Sequence, residues 1–218
     1  MTSHTPKAYL PAAGHHWALP LYDPLTILLG IDGARNKLIK FSKFANASRV
    51  LDIGCGTGTF AIALKQQFPH LEVIGVDPDP KALARARAKA KRKSARVQFI
   101  EAFSQRLPIA DGAFDRVVSS FVYHHLSYDV KQQMLSEARR VLQPGGSFWL
   151  LDVSAGSRDH APLFHGIQQI GSRFRDNKDS RILEMFSRAK FSEPKLEGSG
   201  SIFGGTVRLG FFSGLCAG

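Results

Sequence analysis

From Arg49 onwards, short apolar runs rich in β-branched residues alternate with segments of helical spacing. RVLDI (49–53), LEVIGVD (71–77), RVQFIEA (96–102), FDRVVSS (114–120) and SFWLLDVS (147–154) read as strands. TFAIALKQQF (59–68) places Phe60, Ala63, Leu64 and Phe68 on one side of a helix. PKALARARAKAKRKS (80–94) and the amphipathic DVKQQMLSEARRVL (129–142) are helices too, and QPGG stops the second. Strands separated by helices of this length imply right-handed βαβ units and a parallel sheet covered on both faces. Ahead of this core the chain is punctuated by prolines, and GARNKLIKFSKFA then has a helical pattern. After Ser154 a polar stretch leads to a helix, RILEMFSRAKF, and two strand-like segments, KLEGSG and TVRLGFFSGL, joined across SIFGG. That ending predicts an antiparallel hairpin closing one edge of the sheet. The expected organisation is a single unit over 1–218: an N-terminal arm (1–46), a ligand-binding core (47–154), and a helical segment with the hairpin (155–218).

Composition narrows this little. With 44% hydrophobic and 22% charged positions, the 218 residues exclude a disordered or fibrous class. No apolar run approaches membrane-spanning length, and Pro6, Pro11, His15, His16 and Pro20 interrupt any signal-peptide pattern, so a soluble cytoplasmic protein is expected. Cys55 and Cys216 form neither a disulfide framework nor a zinc motif, and no metal is expected. The formal charge of +11 favours anionic partners. Much of it lies in the 81–96 run. There Ala82, Leu83, Ala86 and Ala90 are predicted to face the sheet, leaving Arg85, Lys89, Arg92 and Arg96 as an outer stripe. A stripe of this kind is either a solvated face or a contact with an anionic phospholipid surface. Nucleic acid is the weaker reading, since no aromatics interleave with the basic residues.

The strongest chemical signal is VLDIGCGTGTF, with Gly54, Gly56 and Gly58 between a strand and a helix. Glycines there permit positive φ and let backbone amides approach a ligand. Asp77 ends the next strand, where an acceptor-only carboxylate can take both hydroxyls of a ribose. A dinucleotide site would carry the longer GxGxxG spacing. Here the spacing is GxGxG, preceded by Asp52, which can pair with an ammonium group. S-adenosylmethionine has such a group and nicotinamide dinucleotides do not, so the methyl donor is the expected cofactor.

VLDIGCGTG, GVDPDP, LPIADGAFDRVVSSFVYHHL and EARRVLQPGGSFWLLD together resemble the class I S-adenosylmethionine-dependent methyltransferases over about residues 49–153. The branch most similar is the small-molecule and lipid group that includes the ubiquinone/menaquinone C-methyltransferases; LPLYDPL, with Tyr22 and Asp23, resembles the segment preceding the core in that group. The resemblance implies a Rossmann-like, doubly wound, seven-stranded sheet, mostly parallel with an antiparallel last strand. It implies that the glycine loop (Gly54, Cys55, Gly56, Gly58) with Asp52 holds the methionine part of the donor. Asp77 would hold the ribose and Phe103 would face the adenine, and Pro78, Ala102, Ser119 and Ser120 are further candidate cofactor-binding residues. Many members place an Asp where this chain has Phe103. Stacking by Phe103, or a backbone amide there or at Ser104, is the expected substitute, and core packing is the alternative.

Methyl transfer asks little of the protein beyond holding donor and acceptor in line. A base helps only where the acceptor must lose a proton. SSFVYHHL follows the fourth strand at the edge where ligands bind, and its His125 is the candidate base or acceptor anchor. The alternative for His125 is capping or packing. Tyr22 is a second candidate, and His15, His16, Trp17, Tyr22 and Asp23 are candidate lid residues or simply a packed arm. No proline follows the fourth strand as in amino-methylating nucleic-acid enzymes, and neither cysteine is placed as a nucleophile. The predicted activity is methyl transfer to a small or lipid-like acceptor. The rivals are a nucleic-acid or protein methyltransferase and a non-catalytic S-adenosylmethionine-binding regulatory module.

Overall fold

The computed structural model describes residues 30–155 and 177–217. Helix α1 (Ile31–Phe41) and a short 3-10 turn (Phe44–Asn46) precede the sheet. Then come β1 (Arg49–Ile53), α2 (Thr59–Gln67), β2 (Glu72–Asp77), α3 (Pro80–Arg92), β3 (Val97–Glu101), β4 (Phe114–Ser120), α4 (Tyr128–Val141) and β5 (Leu142–Val153). Helix α5 (Asp179–Arg188), β6 (Ser192–Ile202) and β7 (Val207–Leu215) complete the described chain. Seven strands lie in the order β3-β2-β1-β4-β5-β7-β6. The first five are parallel, and β7 runs antiparallel to both neighbours. The doubly wound fold is the one expected. The final hairpin is present, but its last strand is inserted beside β5 and leaves β6 at the edge.

Strand alternation sends successive side chains to opposite faces. Val50, Val73, Val118 and Leu151 join one core with α1, α2 and α3. Leu51, Ile74, Val117 and Leu150 join the other with α4 and α5. Fully buried strands of this kind read as nearly continuous apolar runs, which is why they were legible in the sequence.

Three local expectations shift. Strand β5 begins at Leu142, directly after α4, rather than at Ser147: Leu142 pairs with Phe114, and the register then slips so that Arg116 pairs with Ser147. The QPGG segment is therefore an irregularity within the strand, where the glycines let the chain bulge. Lys89 is not on the outer stripe of α3 but buried, donating to Thr57 Oγ1 at 3.1 Å and Thr59 Oγ1 at 2.9 Å. It stands three residues after Ala86 and so shares the inward face, and two hydroxyls at the start of α2 offset the cost of burying its charge. Arg85 is half-buried, while Arg92 and Arg96 are exposed as expected. Lys131 of α4 is likewise buried, bonded to Asn177 Oδ1 at 2.6 Å and placed over the Tyr123 ring.

Candidate active site at the carboxyl edge of the sheet

The strand order reverses between β1 and β4, the place where open α/β sheets bind ligands. The glycine loop leaves β1 there, and the segment Phe121–His125 leaves β4. Gly54 and Gly58 both have φ of 74°. A Cβ on Gly54 would come within 2.4 Å of the Val122 side chain, and one on Gly58 within 2.9 Å of Ala86 and Phe99. The loop is thereby pressed against the end of β4 on one side and α3 on the other. Gly56 differs: a Cβ there would meet nothing within 4 Å, so the space on that side of the loop is open.

Asp77 anchors this loop. Its Oδ2 accepts from the Gly56 amide and its Oδ1 from the Asp79 amide, both at 2.9 Å. Burial raises its pKa, and the two amide bonds oppose that rise. Each carboxylate oxygen keeps a further lone pair for a donor such as a ribose hydroxyl. Pro78 is half-buried beside it. Asp79 caps α3 by accepting from the Lys81 amide. Cys55 is buried with its sulfur against Gly75, and burial pushes its pKa well up, leaving a neutral thiol.

Asp52 is only 1% exposed, and neither carboxylate oxygen has a hydrogen-bond partner. Burial pushes its pKa up to about 7, with the nearby Arg35 charge opposing the rise and Asp77 adding to it. An unbonded buried carboxyl is costly, and that cost points to a missing donor.

At the end of β3, Ala102 donates to the Asp77 carbonyl, and Phe103 follows it with 45% of its surface exposed. Core packing is therefore not what places Phe103. At the end of β4, Ser119 is fully buried and its hydroxyl donates to the Ile53 carbonyl, tying β4 to β1. Ser120 is also buried. Beyond them, His124 Nδ1 lies 2.6 Å from Asp152 Oδ1, and Asp152 is inaccessible to solvent at the end of β5. The Tyr123 amide donates to the other oxygen of the same carboxylate. His125 is exposed, its ring 3.9 Å from that of His124. His124, not His125, thus holds the buried acid. Tyr22, with Asp23, His15, His16 and Trp17, lies outside the described residues.

Two residues here were not singled out in the sequence. Asp152 was visible as a strand-end acid, but its pairing with a residue 28 positions earlier needs the β4–β5 register. Arg35 sits on α1, ahead of every motif, and nothing in its local pattern marks it.

A family model described as "Methyltransferase domain" matches residues 50–146. Over those residues the chain is similar to methyltransferase domains. Among curated relatives, a demethylmenaquinone methyltransferase of Deinococcus radiodurans is 39% identical over 136 residues, covering 61% of this chain and 56% of that protein. The ubiquinone/menaquinone biosynthesis C-methyltransferase UbiE of Syntrophotalea carbinolica is 32% identical over 157 residues, covering 71% and 64%. The chain thus spans about three fifths of the length of these relatives. A crystal structure of an S-adenosylmethionine-dependent methyltransferase from Aquifex aeolicus superposes with a TM-score of 0.64 at 18% identity, covering 83% of this chain and 89% of that one. The two chains share their overall fold.

Asp52 carries a direct test of this geometry. The folded chain holds its proton up to about pH 7, whereas the unfolded chain releases it near 3.8. Stability from this group is therefore fully present at low pH and is lost as pH rises through that window. Asp52→Asn is expected to be neutral below the window and stabilising above it, by about 4 kcal/mol at most. Denaturant unfolding of both proteins across the window checks the sign; a gain that grew towards acid pH would contradict the placement of the carboxyl.

Proposed function

We propose that the protein transfers a methyl group from S-adenosylmethionine to a small, lipid-like acceptor of the quinol type. The observation that carries this reading is an unbonded buried carboxyl, Asp52, just before a glycine loop with open space beside Gly56, inside a region matching a methyltransferase domain. These fit the donor: the glycine loop takes its methionine part, Asp52 accepts from the ammonium, Asp77 accepts from the ribose hydroxyls, and Phe103 offers a face for the adenine ring. When bound, the donor supplies an electrophilic methyl group. The loop's part is to hold that methyl group in line with the acceptor and to exclude water, which is most of the acceleration available to such a site. The acceptor class is supported by the relatives, a demethylmenaquinone methyltransferase and a ubiquinone/menaquinone biosynthesis C-methyltransferase.

His125 is the proposed group facing the acceptor. Its ring rests on that of His124, and Asp152 fixes His124 in turn. Residues 1–46 are proposed to complete the acceptor side with Tyr22, the whole chain acting as one unit. Exposed Lys81, Arg87, Lys91, Arg92, Lys93 and Arg96 offer a basic face to anionic headgroups, where a lipid-like acceptor resides. No helix among the described residues is long and apolar enough to cross a membrane, so the proposed contact is peripheral.

Calorimetry tests the donor. S-Adenosylhomocysteine is expected to bind and NAD to give no heat; tight NAD binding without a response to S-adenosylhomocysteine would overturn the assignment. Methyl transfer to a short-chain demethylmenaquinol then tests the acceptor class. For the adenine contact, Phe103→Ala should weaken S-adenosylhomocysteine by roughly 5- to 100-fold, within the range for a base stacked on an aromatic ring. Phe103→Tyr should bind like the wild type, and the melting temperature should scarcely move because the side chain is exposed. For the acceptor side, His125→Ala should lower kcat by ~10²-fold or more while leaving S-adenosylhomocysteine binding nearly unchanged. Full turnover with an earlier melting transition would make it structural.

A further inference from the structure

Arg35 lies on the second turn of α1, outside the matched domain, yet its guanidinium lies near the segment that leaves the carboxyl end of β4. It stands 5.9 Å from the centre of the Phe121 ring, at the residue that leaves β4. Phe121 is itself held at a φ of 60°, unfavourable for an aromatic residue, with its amide bonded to the Leu151 carbonyl. The Arg35 side chain is 12% exposed, and its one ion pair, to Asp32, is long at 3.5 Å. Its buried Nε has no hydrogen-bond partner. Its charge acts on Asp52 through space, and no hydrogen bond joins the two.

An arginine and a carboxyl in electrostatic contact at a largely closed site would ordinarily join in a charge-assisted hydrogen bond. Here no such bond forms, and each side chain keeps unbonded buried polar atoms. A ligand satisfying both must present a cation to Asp52 and an anion to Arg35 within a short span. An α-amino acid zwitterion does so. We propose that Arg35 binds the α-carboxylate of the donor's methionine part while Asp52 binds its ammonium, so that α1 supplies half of a zwitterion clamp. This inference rests on the donor reading above.

Three adenosine thioethers separate the charges. S-Adenosylhomocysteine carries both, its decarboxylated aminopropyl analogue carries only the ammonium, and 5′-methylthioadenosine carries neither. Calorimetry on the full chain should show Arg35→Gln weakening S-adenosylhomocysteine by roughly 10- to 100-fold, the scale for hydrogen bonds to a charged group. The same variant should bind the decarboxylated analogue and methylthioadenosine as the wild type does. Asp52→Asn should weaken both amine-bearing ligands and leave methylthioadenosine unchanged. Arg35→Lys, which keeps the charge, should recover part of the loss. Unchanged S-adenosylhomocysteine affinity in Arg35→Gln, or equal weakening of all three ligands, would overturn the clamp. If Arg35→Gln does not fold, the wild type decides: it must bind the decarboxylated analogue at least 10-fold more weakly than S-adenosylhomocysteine, and equal affinity overturns the clamp. Wild-type protein that binds none of the three overturns the donor reading itself, and the clamp with it.

Discussion

The turn from β1 into α2 has room for neither a Cβ at Gly54 nor one at Gly58, because Val122 lies against the first and Ala86 and Phe99 against the second. Both residues also need the left-handed backbone that glycine adopts without strain. That packing brings the end of β4, helix α3 and strand β3 up against a single five-residue loop. A larger residue at either position would push one of those elements outwards, and the segments from separate strands would no longer converge. The Asp77 carboxylate completes the constraint by tying the Gly56 amide to the end of β2.

The site therefore depends on two buried carboxyls, one that ties the loop and one that makes no hydrogen bond. Asp52 and Asp77 are both held above their ordinary ionisation range by burial, and Asp52 gains no hydrogen bond in return. Lys89 stands in contrast. It is also buried, yet two threonine hydroxyls accept from it, and it secures α3 against the start of α2. Satisfied burial marks the scaffold, whereas unsatisfied burial marks where a charged ligand belongs. Proteins commonly concentrate such destabilising features at functional sites.

The reversal of strand order at β1 and β4 decides which residues meet. It sets the glycine loop beside Phe121–His125 and, through the parallel β4–β5 pairing, delivers Asp152 to His124. The same packing lets α1 return over the sheet, carrying Arg35 to within electrostatic reach of Asp52.

By itself the sequence determined the class of fold, the positions of five parallel strands and the loop that receives a ligand. Those features are written in local pattern: fully buried strands are continuous apolar runs, and a turn requiring positive φ requires glycine. Gly54, Gly58 and Asp77 were legible for that reason. Tertiary structure alone decided that Asp52 has no bond, that Phe103 is exposed, that Lys89 turns inwards and that Asp152 holds His124 rather than His125. It also decided that β7 inserts beside β5, since a hairpin pattern specifies the pairing of its two strands but not which of them meets the sheet. Each of these depends on contacts between residues far apart in the chain, and burial and electrostatics act through distance in space, which local periodicity does not encode.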